Sequence, residues 1–194
     1  MEIRYYNVVD ALLAHVRTRQ ARIVDLIAQL VGCESPSGDS DSIDRFVSLV
    51  EDVVAHMAEI RTLPGGHLRC EFQLPGSARK SGQILALGHS DTVWPVGTLQ
   101  KMPFRNNRGR LWGPGVLDMK SGIAFFINAM QTLRELRIPV RRRVVLLLNA
   151  DEEVGSESSR AFTIREAKRS EAVLVLEPGT GLEGKLKTAR KGVG

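Results

Sequence analysis

Two patterns of hydrophobic residues alternate along the chain and predict helices first and strands later. Apolar side chains recur every three or four positions over residues 8–31, which predicts an amphipathic helix with an interruption near Thr18. A segment rich in turn formers follows at residues 34–40. Asp41 or Ser42 is then predicted to cap the next amphipathic helix.

After Gly65 and Gly66 the hydrophobic period becomes that of β-strands. Residues 67–74 alternate as in a half-buried strand, and three nearly continuous apolar runs predict buried strands at residues 83–88, 143–149 and 172–176. Further helices are predicted over residues 120–136 and 158–168. Strands that alternate with helices predict an α/β fold, a three-layer sandwich whose mostly parallel central sheet is flanked by helices.

Composition and charge argue against several classes of protein. The formal net charge is +5, but basic and acidic residues are interspersed, and only Arg141, Arg142 and Arg143 form a run, which we interpret as the solvated start of a strand. Aromatic residues make up 5% of the chain, too few for a stacking surface that binds nucleic acid. No apolar run is long enough to cross a membrane.

The cysteines and the N-terminal residues bear on the cellular compartment. Cys33 and Cys70 have no C-x-x-C spacing, so we expect buried free thiols and neither a disulfide framework nor a thiolate metal site. Residues 1–10 contain no apolar core behind a basic start, and no secretory signal is therefore predicted. The expected location is the cytoplasm.

One histidine and several acidic residues follow three predicted strands at their carboxyl ends: His89 and Asp91, then Glu152 and Glu153, and finally Glu177. Asp118 supplies a further acid from a glycine-rich loop that precedes a predicted helix. In open α/β sheets ligands bind at the carboxyl ends of the strands, so these side chains are predicted to converge on one pocket. Imidazole and carboxylate donors suit zinc or a similar divalent cation, whose charge relieves the repulsion between the acids.

The same residues suggest a division of roles. Strand alternation places Asp91 on the same side as His89, where its carboxylate can accept the other ring N–H and fix the tautomer. Of the neighbours Glu152 and Glu153, one can bind metal while the other accepts a proton from water. Two adjacent acids can also be merely solvated, but their position directly after a strand favours a functional role.

Four motifs in order resemble those of the glutamate carboxypeptidase, acetylornithine deacetylase and succinyl-diaminopimelate desuccinylase family of dizinc metallopeptidases. The motifs are His89-Ser90-Asp91-Thr92-Val93, the GPGVLDMKSG of residues 113–122, the DEEVGS of residues 151–156, and Glu177-Pro178. Residues 34–38, ESPSG, also resemble an early family motif. The resemblance extends over nearly the whole chain from about Ala21 and is greatest to the glutamate carboxypeptidase branch.

The resemblance implies a role for each site residue. His89 and Glu177 would bind one metal ion, Asp118 would bridge two ions, and Glu153 would bind the second ion. Glu152 would be the general acid/base, Asp91 would orient His89, and the peptide bond Asp118–Met119 would be cis. The cofactors would be two divalent ions, zinc in the first place, although cobalt and manganese also accept such donors.

These roles imply a metal-dependent carboxypeptidase or amidohydrolase. A hydroxide that bridges the two ions would attack the amide bond of a small peptide or an N-acyl-amino acid. Lys185 would contact the substrate's carboxylate, unless it is a solvated residue of an edge strand. The alternatives are a binding or interaction module that keeps the fold without catalysis and a basic nucleic-acid-binding protein.

The family's remaining ligand is a histidine that lies beyond an inserted lid domain. His15, His56 and His67 precede the motifs and are expected to be surface or packing residues. We therefore expect residues 1–185 to be the N-terminal part of a catalytic domain and residues 186–194 to begin the lid, through which a homodimer would form. On this expectation the 194-residue chain binds metal weakly and is inactive alone.

Overall fold

The computed structural model describes residues 2–181, 183–186 and 188. Its helices are α1 (Glu2–Thr18), α2 (Gln20–Gly32), α3 (Ser40–Val54), α4 (Thr98–Lys101), α5 (Ser121–Glu135) and α6 (Arg160–Arg169). The predicted interruption of the first helix is confirmed and lies at Arg19. The predicted cap of α3 is wrong: Asp39 is the N-cap, because its extended backbone lets its carboxylate accept the N–H of Ser42 at 3.0 Å.

The strands form one central sheet and one small hairpin. They are β1 (Ala58–Leu63), β2 (His67–Phe72), β3 (Gln83–His89), β4 (Arg105–Asn107), β5 (Arg110–Trp112), β6 (Arg143–Asn149) and β7 (Ala172–Val175). The central sheet has the order β1-β2-β6-β3-β7, in which β3 pairs in parallel with β6 and β7 while β1–β2 and β2–β6 are antiparallel. The predicted α/β class is confirmed, with a sheet that is parallel on one side and antiparallel on the other.

The sheet lies between two layers of helices, as the sequence predicted. Alternate strand residues point to opposite faces. Leu146 and Leu148 face the larger core, formed with α2, α3 and α5, whereas Leu85 and Leu147 face a smaller cluster that includes Phe162 of α6. The carboxyl end of β6 is consequently held from both sides.

Strand β7 differs from its prediction because it is not buried. Val173, Leu174 and Val175 are 41%, 52% and 58% exposed. Their exposure follows from the position of β7 at the sheet edge, where β3 is its one partner within the described residues. The prediction failed because an apolar run indicates the strand but not what covers it.

Other sequence predictions concern smaller features. Cys70 is buried and Cys33 is partly buried, and both are free thiols as predicted. Arg142 pairs with Glu171 at 2.6 Å at the start of β6.

No helix in the described ranges is both long and apolar enough to cross a membrane. Most of the segment 186–194, where a lid was expected to begin, lies outside the described residues.

Candidate metal centre

The parallel half of the sheet brings the predicted site residues to one edge. In the β3–β6 register His89 lies opposite Asn149, so the loop with Glu152 and Glu153 begins beside His89. On the other side of β3, Leu87 lies opposite Val175, and Glu177 follows two residues later. Adjacent parallel strands end at the same edge, which explains why residues far apart in sequence meet here.

The imidazole of His89 is the centre of this cluster. Its Nε2 lies 3.0 Å from Oδ1 of Asp118, 3.3 Å from Oε1 of Glu177 and 4.0 Å from Oε2 of Glu152. The His89 side chain is 1% exposed, whereas that of Asp118 is 56% exposed. The ring therefore forms the floor of the pocket, and the carboxylates form its solvent-facing side.

Two sets of side chains could each hold a metal ion. In one set His89, Glu152 and Glu177 offer ligand atoms that all lie within 4.8 Å of one another, and in the other set His89, Asp118 and Glu153 do so. The structure thus brings together all the predicted ligands. It also places Glu152, the predicted base, within the first set, beside His89 and Glu177.

Asp91 connects the two strand ends. Nδ1 of His89 lies 2.9 Å from the main-chain oxygen of Asp91 and 3.4 Å from its carboxylate. The shorter contact differs from the predicted one, because β3 ends at His89 and strand alternation does not continue to Asp91. The carboxylate instead accepts the N–H groups of Glu152 and Glu153 at 3.2 Å and the hydroxyl of Ser37 at 2.7 Å.

The electrostatics of the cluster favour a bound cation. Burial lowers the pKa of His89, but the hydrogen bonds and charge of Asp91 and the charge of Glu177 outweigh it and raise this pKa to about 9. Burial, followed by the negative charge of Asp118, raises the pKa of both Glu153 and Glu177. Nitrogen and oxygen donors of this kind fit a divalent ion such as zinc, which binds in place of the imidazole proton.

Asp118 is positioned by the turn Val116–Lys120, in which the Asp118–Met119 peptide bond is cis as predicted. Lys120 anchors this turn, a role that no pattern in the sequence indicates. Its side chain is buried, its Nζ donates to the main-chain oxygen of Cys33 at 2.7 Å, and it lies 4.7 Å from the centroid of the Phe46 ring. A single lysine in a loop carries no sequence signal for such burial.

A close contact connects the elements that carry Asp118 and Glu177. Gly122, near the start of α5, packs against the main chain of Leu176, and a Cβ at this position would lie 2.0 Å from the Leu176 oxygen. A rigid main-chain atom cannot yield to such an overlap. The absence of a side chain at position 122 therefore permits α5 to approach the residue before Glu177.

The early ESPSG motif packs against the segment that contains Asp91. Glu34 accepts the N–H groups of Gly97 at 2.7 Å and Leu99 at 2.8 Å. The hydroxyl of Ser35 donates to the main-chain oxygen of Ser90 at 2.7 Å. With the Ser37–Asp91 bond, these contacts give the motif a supporting role that its turn-forming composition alone did not reveal.

The remaining candidates are not members of either metal-compatible set. Nζ of Lys185 is 3.1 Å from Oε2 of Glu183, and both side chains are about three-quarters exposed, at 75% and 76%. His15 pairs with Glu135 at 3.0 Å, His56 is exposed in a turn after α3, and His67 is buried. None of these three histidines belongs to either set found among the described residues.

Comparison with known proteins gives a consistent result. The model of peptidase family M20/M25/M40 matches residues 85–190. Carboxypeptidase G2 from Pseudomonas sp. (strain RS-16) is 28% identical over 187 residues, which are 95% of this chain and 45% of the relative. The structure of human carnosine dipeptidase 1 matches with a TM-score of 0.73 and 18% identity, over 86% of this chain and 40% of that one.

A third match is the M20 family metallo-carboxypeptidase Sso-CP2 from Sulfolobus solfataricus. Its TM-score is 0.66 and its identity 18%, over 84% of this chain and 38% of that one. The two solved structures have the same fold as this chain. The chain spans less than half the length of each of these three proteins.

Proposed function

Because the chain belongs to peptidase family M20/M25/M40, we propose that it forms the metal-binding part of a hydrolase that cleaves amide bonds in peptides or N-acyl-amino acids. The observation that carries this proposal is the convergence of one buried imidazole and four carboxylates at a single sheet edge. Such a donor set suits catalytic zinc, with cobalt and manganese as substitutes.

The proposed centre would hold two divalent ions. His89 and Glu177 would hold the first ion, Glu153 would hold the second, and Asp118 would be a ligand of both. The 3.0 Å and 3.3 Å contacts of Nε2 with Asp118 and Glu177 support the first site, and the proximity of Asp118 and Glu153 supports the second. The resemblance to dizinc enzymes implies a further histidine ligand, which we expect from a part of the protein beyond the described residues.

The reaction requires an attacking water and a proton carrier. When bound, the ions would supply the Lewis acidity that activates water and polarises the scissile carbonyl. Glu152 accepts the proton of the attacking water and returns it to the leaving nitrogen. Its carboxylate is 48% exposed and lies farther from Nε2 than those of Asp118 and Glu177, which leaves it free to face a substrate. Asp91 contacts both His89 and the loop that carries Glu152 and Glu153 (the glutamate loop) and fixes their relative positions.

The substrate is proposed to carry a free carboxylate, as the name of carboxypeptidase G2 implies for that relative. Lys185 is the proposed partner of this group. Its side chain is exposed and its ion pair with Glu183 is equally exposed, so a substrate carboxylate could replace Glu183 at little energetic cost.

Metal titration of the 194-residue chain tests the proposal. We expect Zn²⁺ and Co²⁺ to bind, Asp118→Asn to remove most of the binding, and Asp52→Asn, an exposed acid of α3, to leave it unchanged. Hydrolysis of dipeptides and N-acyl-amino acids by this chain should be barely detectable without the further histidine. Equal binding by the wild type and Asp118→Asn would overturn the site, and metal binding without hydrolysis by the longer protein would favour a non-catalytic module.

A further inference from the structure

A buried histidine outside the metal-compatible sets lies directly behind the glutamate loop. His67 is the first residue of β2 and is 0% exposed. Strand β2 runs antiparallel to β6, with Leu68 opposite Leu148, so the start of β2 lies beside the carboxyl end of β6. His67 is therefore placed where β6 passes into the loop that carries Glu152 and Glu153.

Hydrogen bonds on both ring nitrogens connect His67 to the two ends of this loop. The N–H of Ala150 donates to Nδ1 at 2.9 Å, which requires an unprotonated Nδ1. The ring proton is thereby assigned to Nε2, which donates to the hydroxyl of Ser158 at 3.1 Å. The Ser158 hydroxyl in turn donates to Oδ2 of Asp151 at 2.7 Å. A neutral imidazole thus joins the beginning of the loop to its end.

The loop has a second attachment on its opposite side. The N–H groups of Glu152 and Glu153 donate to the carboxylate of Asp91, which also adjoins His89. Asp151 closes the loop internally by accepting the N–H groups of Ser158 and Ser159 at 2.8 and 3.1 Å. The two glutamates therefore lie on a segment held between Asp91 and His67.

The surroundings of His67 restrict the ring to one orientation. The ring of Phe162 packs against it edge-on, with centroids 5.6 Å apart. A Cβ at Gly65 would lie 2.9 Å from Nε2 and 3.5 Å from the Ser158 hydroxyl, and Gly65 also has a positive φ of 91°. The glycine turn before β2 thus leaves open the space that the Nε2–Ser158 hydrogen bond occupies.

We propose that His67 is a positioning residue, whose neutral ring fixes the loop that presents Glu152 and Glu153 to the metal centre. The inference rests on the proposed function for its catalytic consequence, but its structural part does not. Without the two ring hydrogen bonds, Ala150 and Ser158 lose their fixed separation. The glutamate carboxylates then sample positions away from the ligand atoms of His89.

Hydrogen exchange on the metal-free chain tests the structural part. In His67→Phe an aromatic ring is kept and both hydrogen bonds are lost, so amides of residues 150–159 should exchange about 10-fold faster, as expected for losing bonds of this strength. His67→Asn, which keeps an acceptor near Nδ1, should restore part of the protection. Amides of β6 serve as the internal control, because a general loss of stability would accelerate them equally. Unchanged exchange in the loop, or equal acceleration in β6, would overturn the proposal.

Co²⁺ binding and turnover test the catalytic part in the complete enzyme. His67→Phe should alter the visible spectrum of bound cobalt and lower kcat about 10- to 100-fold, with little change in KM. Ser158→Ala removes the hydrogen bond of Nε2 and its connection to Asp151 but keeps the bond between Nδ1 and Ala150. It should therefore give a smaller effect, and it replaces His67→Phe if that variant does not fold. A wild-type cobalt spectrum and kcat in both variants would overturn this role. Absence of metal binding by the wild type would instead refute the proposed function and leave the exchange result standing.

Discussion

The main-chain N–H of Glu152 donates to Oδ1 of Asp91 at 3.2 Å across 61 positions of sequence. Oδ2 of the same carboxylate accepts from the N–H of Glu153 and from the hydroxyl of Ser37. The hydroxyl of Ser37 and the two main-chain N–H groups are all donors, and a carboxylate offers acceptors alone. Asp91 therefore fixes the glutamate loop relative to His89 by accepting all of these hydrogen bonds. An amide cannot do the same, because one of its two polar groups is a donor.

The variant Asp91→Asn should lower metal affinity about 10- to 100-fold, because its NH₂ group would face N–H or O–H donors. Competition with a chromophoric chelator measures the affinity, and circular dichroism verifies the fold. Ser37→Ala removes a single donor and should have a smaller effect, while Asp41→Asn, on the exposed side of α3, should have none. Wild-type affinity in Asp91→Asn would show that the main-chain oxygen alone orients His89.

The variant Glu152→Gln tests the proposed general base in the complete enzyme. Glutamine keeps the size of the side chain but cannot accept the proton, so kcat should fall about 10²- to 10⁴-fold at nearly constant metal content. Metal analysis by mass spectrometry accompanies the kinetics. Glu157→Gln, an exposed neighbour in the same loop, is the matched control. Loss of metal in Glu152→Gln, with recovery of rate at high metal concentration, would make Glu152 a ligand and Glu153 the better candidate for the base.

The variant Lys185→Met tests recognition of the substrate in the complete enzyme. If Lys185 contacts a carboxylate, KM should rise more for a carboxylate-bearing substrate than for its amide analogue. Lys168→Met, on the exposed side of α6, controls for the loss of one positive charge. Equal effects on the two substrates would assign Lys185 to the solvated surface.

His67 makes a further prediction about pH and stability. Burial lowers its pKa from 6.5, although the charges of Asp151 and Asp91 act in the opposite direction. Between the folded and unfolded pKa values the unfolded chain binds more protons, so stability rises with pH there. The contribution of His67 is complete above pH 6.5 and is lost as pH falls through the lower, folded pKa.

Urea unfolding of the wild type and His67→Phe at about pH 7.5 and about pH 5 measures this contribution. The wild type should lose more stability on acidification than the variant does, and the difference isolates His67 from the other titrating groups. His56→Phe provides the exposed histidine control. An identical loss in the wild type and His67→Phe would show that His67 does not titrate differently in the folded chain.

The sequence predicted candidate site residues where ligand-type side chains occur at the ends of segments with a clear hydrophobic period. The convergence of His89, Glu152, Glu153 and Glu177 could be predicted because ligand-type side chains follow apolar runs that predict strands, whereas Asp118 was selected for its place in a glycine-rich loop before a helix. Ser37, His67 and Lys120 could not be predicted, because their roles depend on which atoms the register of the sheet and the turn Val116–Lys120 bring together. A serine in a turn or a histidine in a strand looks the same whether or not it supports a catalytic loop.

The difference between local patterns and long-range contacts also explains which features of the fold were predicted wrongly or missed. The exposure of β7 depends on the absence of a neighbour in the described part of the chain, and no local pattern encodes that. The hairpin β4–β5 and helix α4 were not predicted because they are short and largely solvent-exposed, so no apolar period marks them. Asp39 caps α3 in place of Asp41 or Ser42 because the backbone dihedral angles, rather than residue type, decide between neighbouring cap candidates.

The close packing of Gly122 against Leu176 should restrict which residues evolution can accept at position 122. A methyl group there would collide with the carbonyl of Leu176, one residue before Glu177, so a change from glycine would separate the two segments that supply Asp118 and Glu177. In a library of all single substitutions selected for metal-dependent activity, position 122 should tolerate replacement as poorly as the proposed ligands do. Selection for the chemistry of the centre would thus leave its mark on a residue that has no functional group at all.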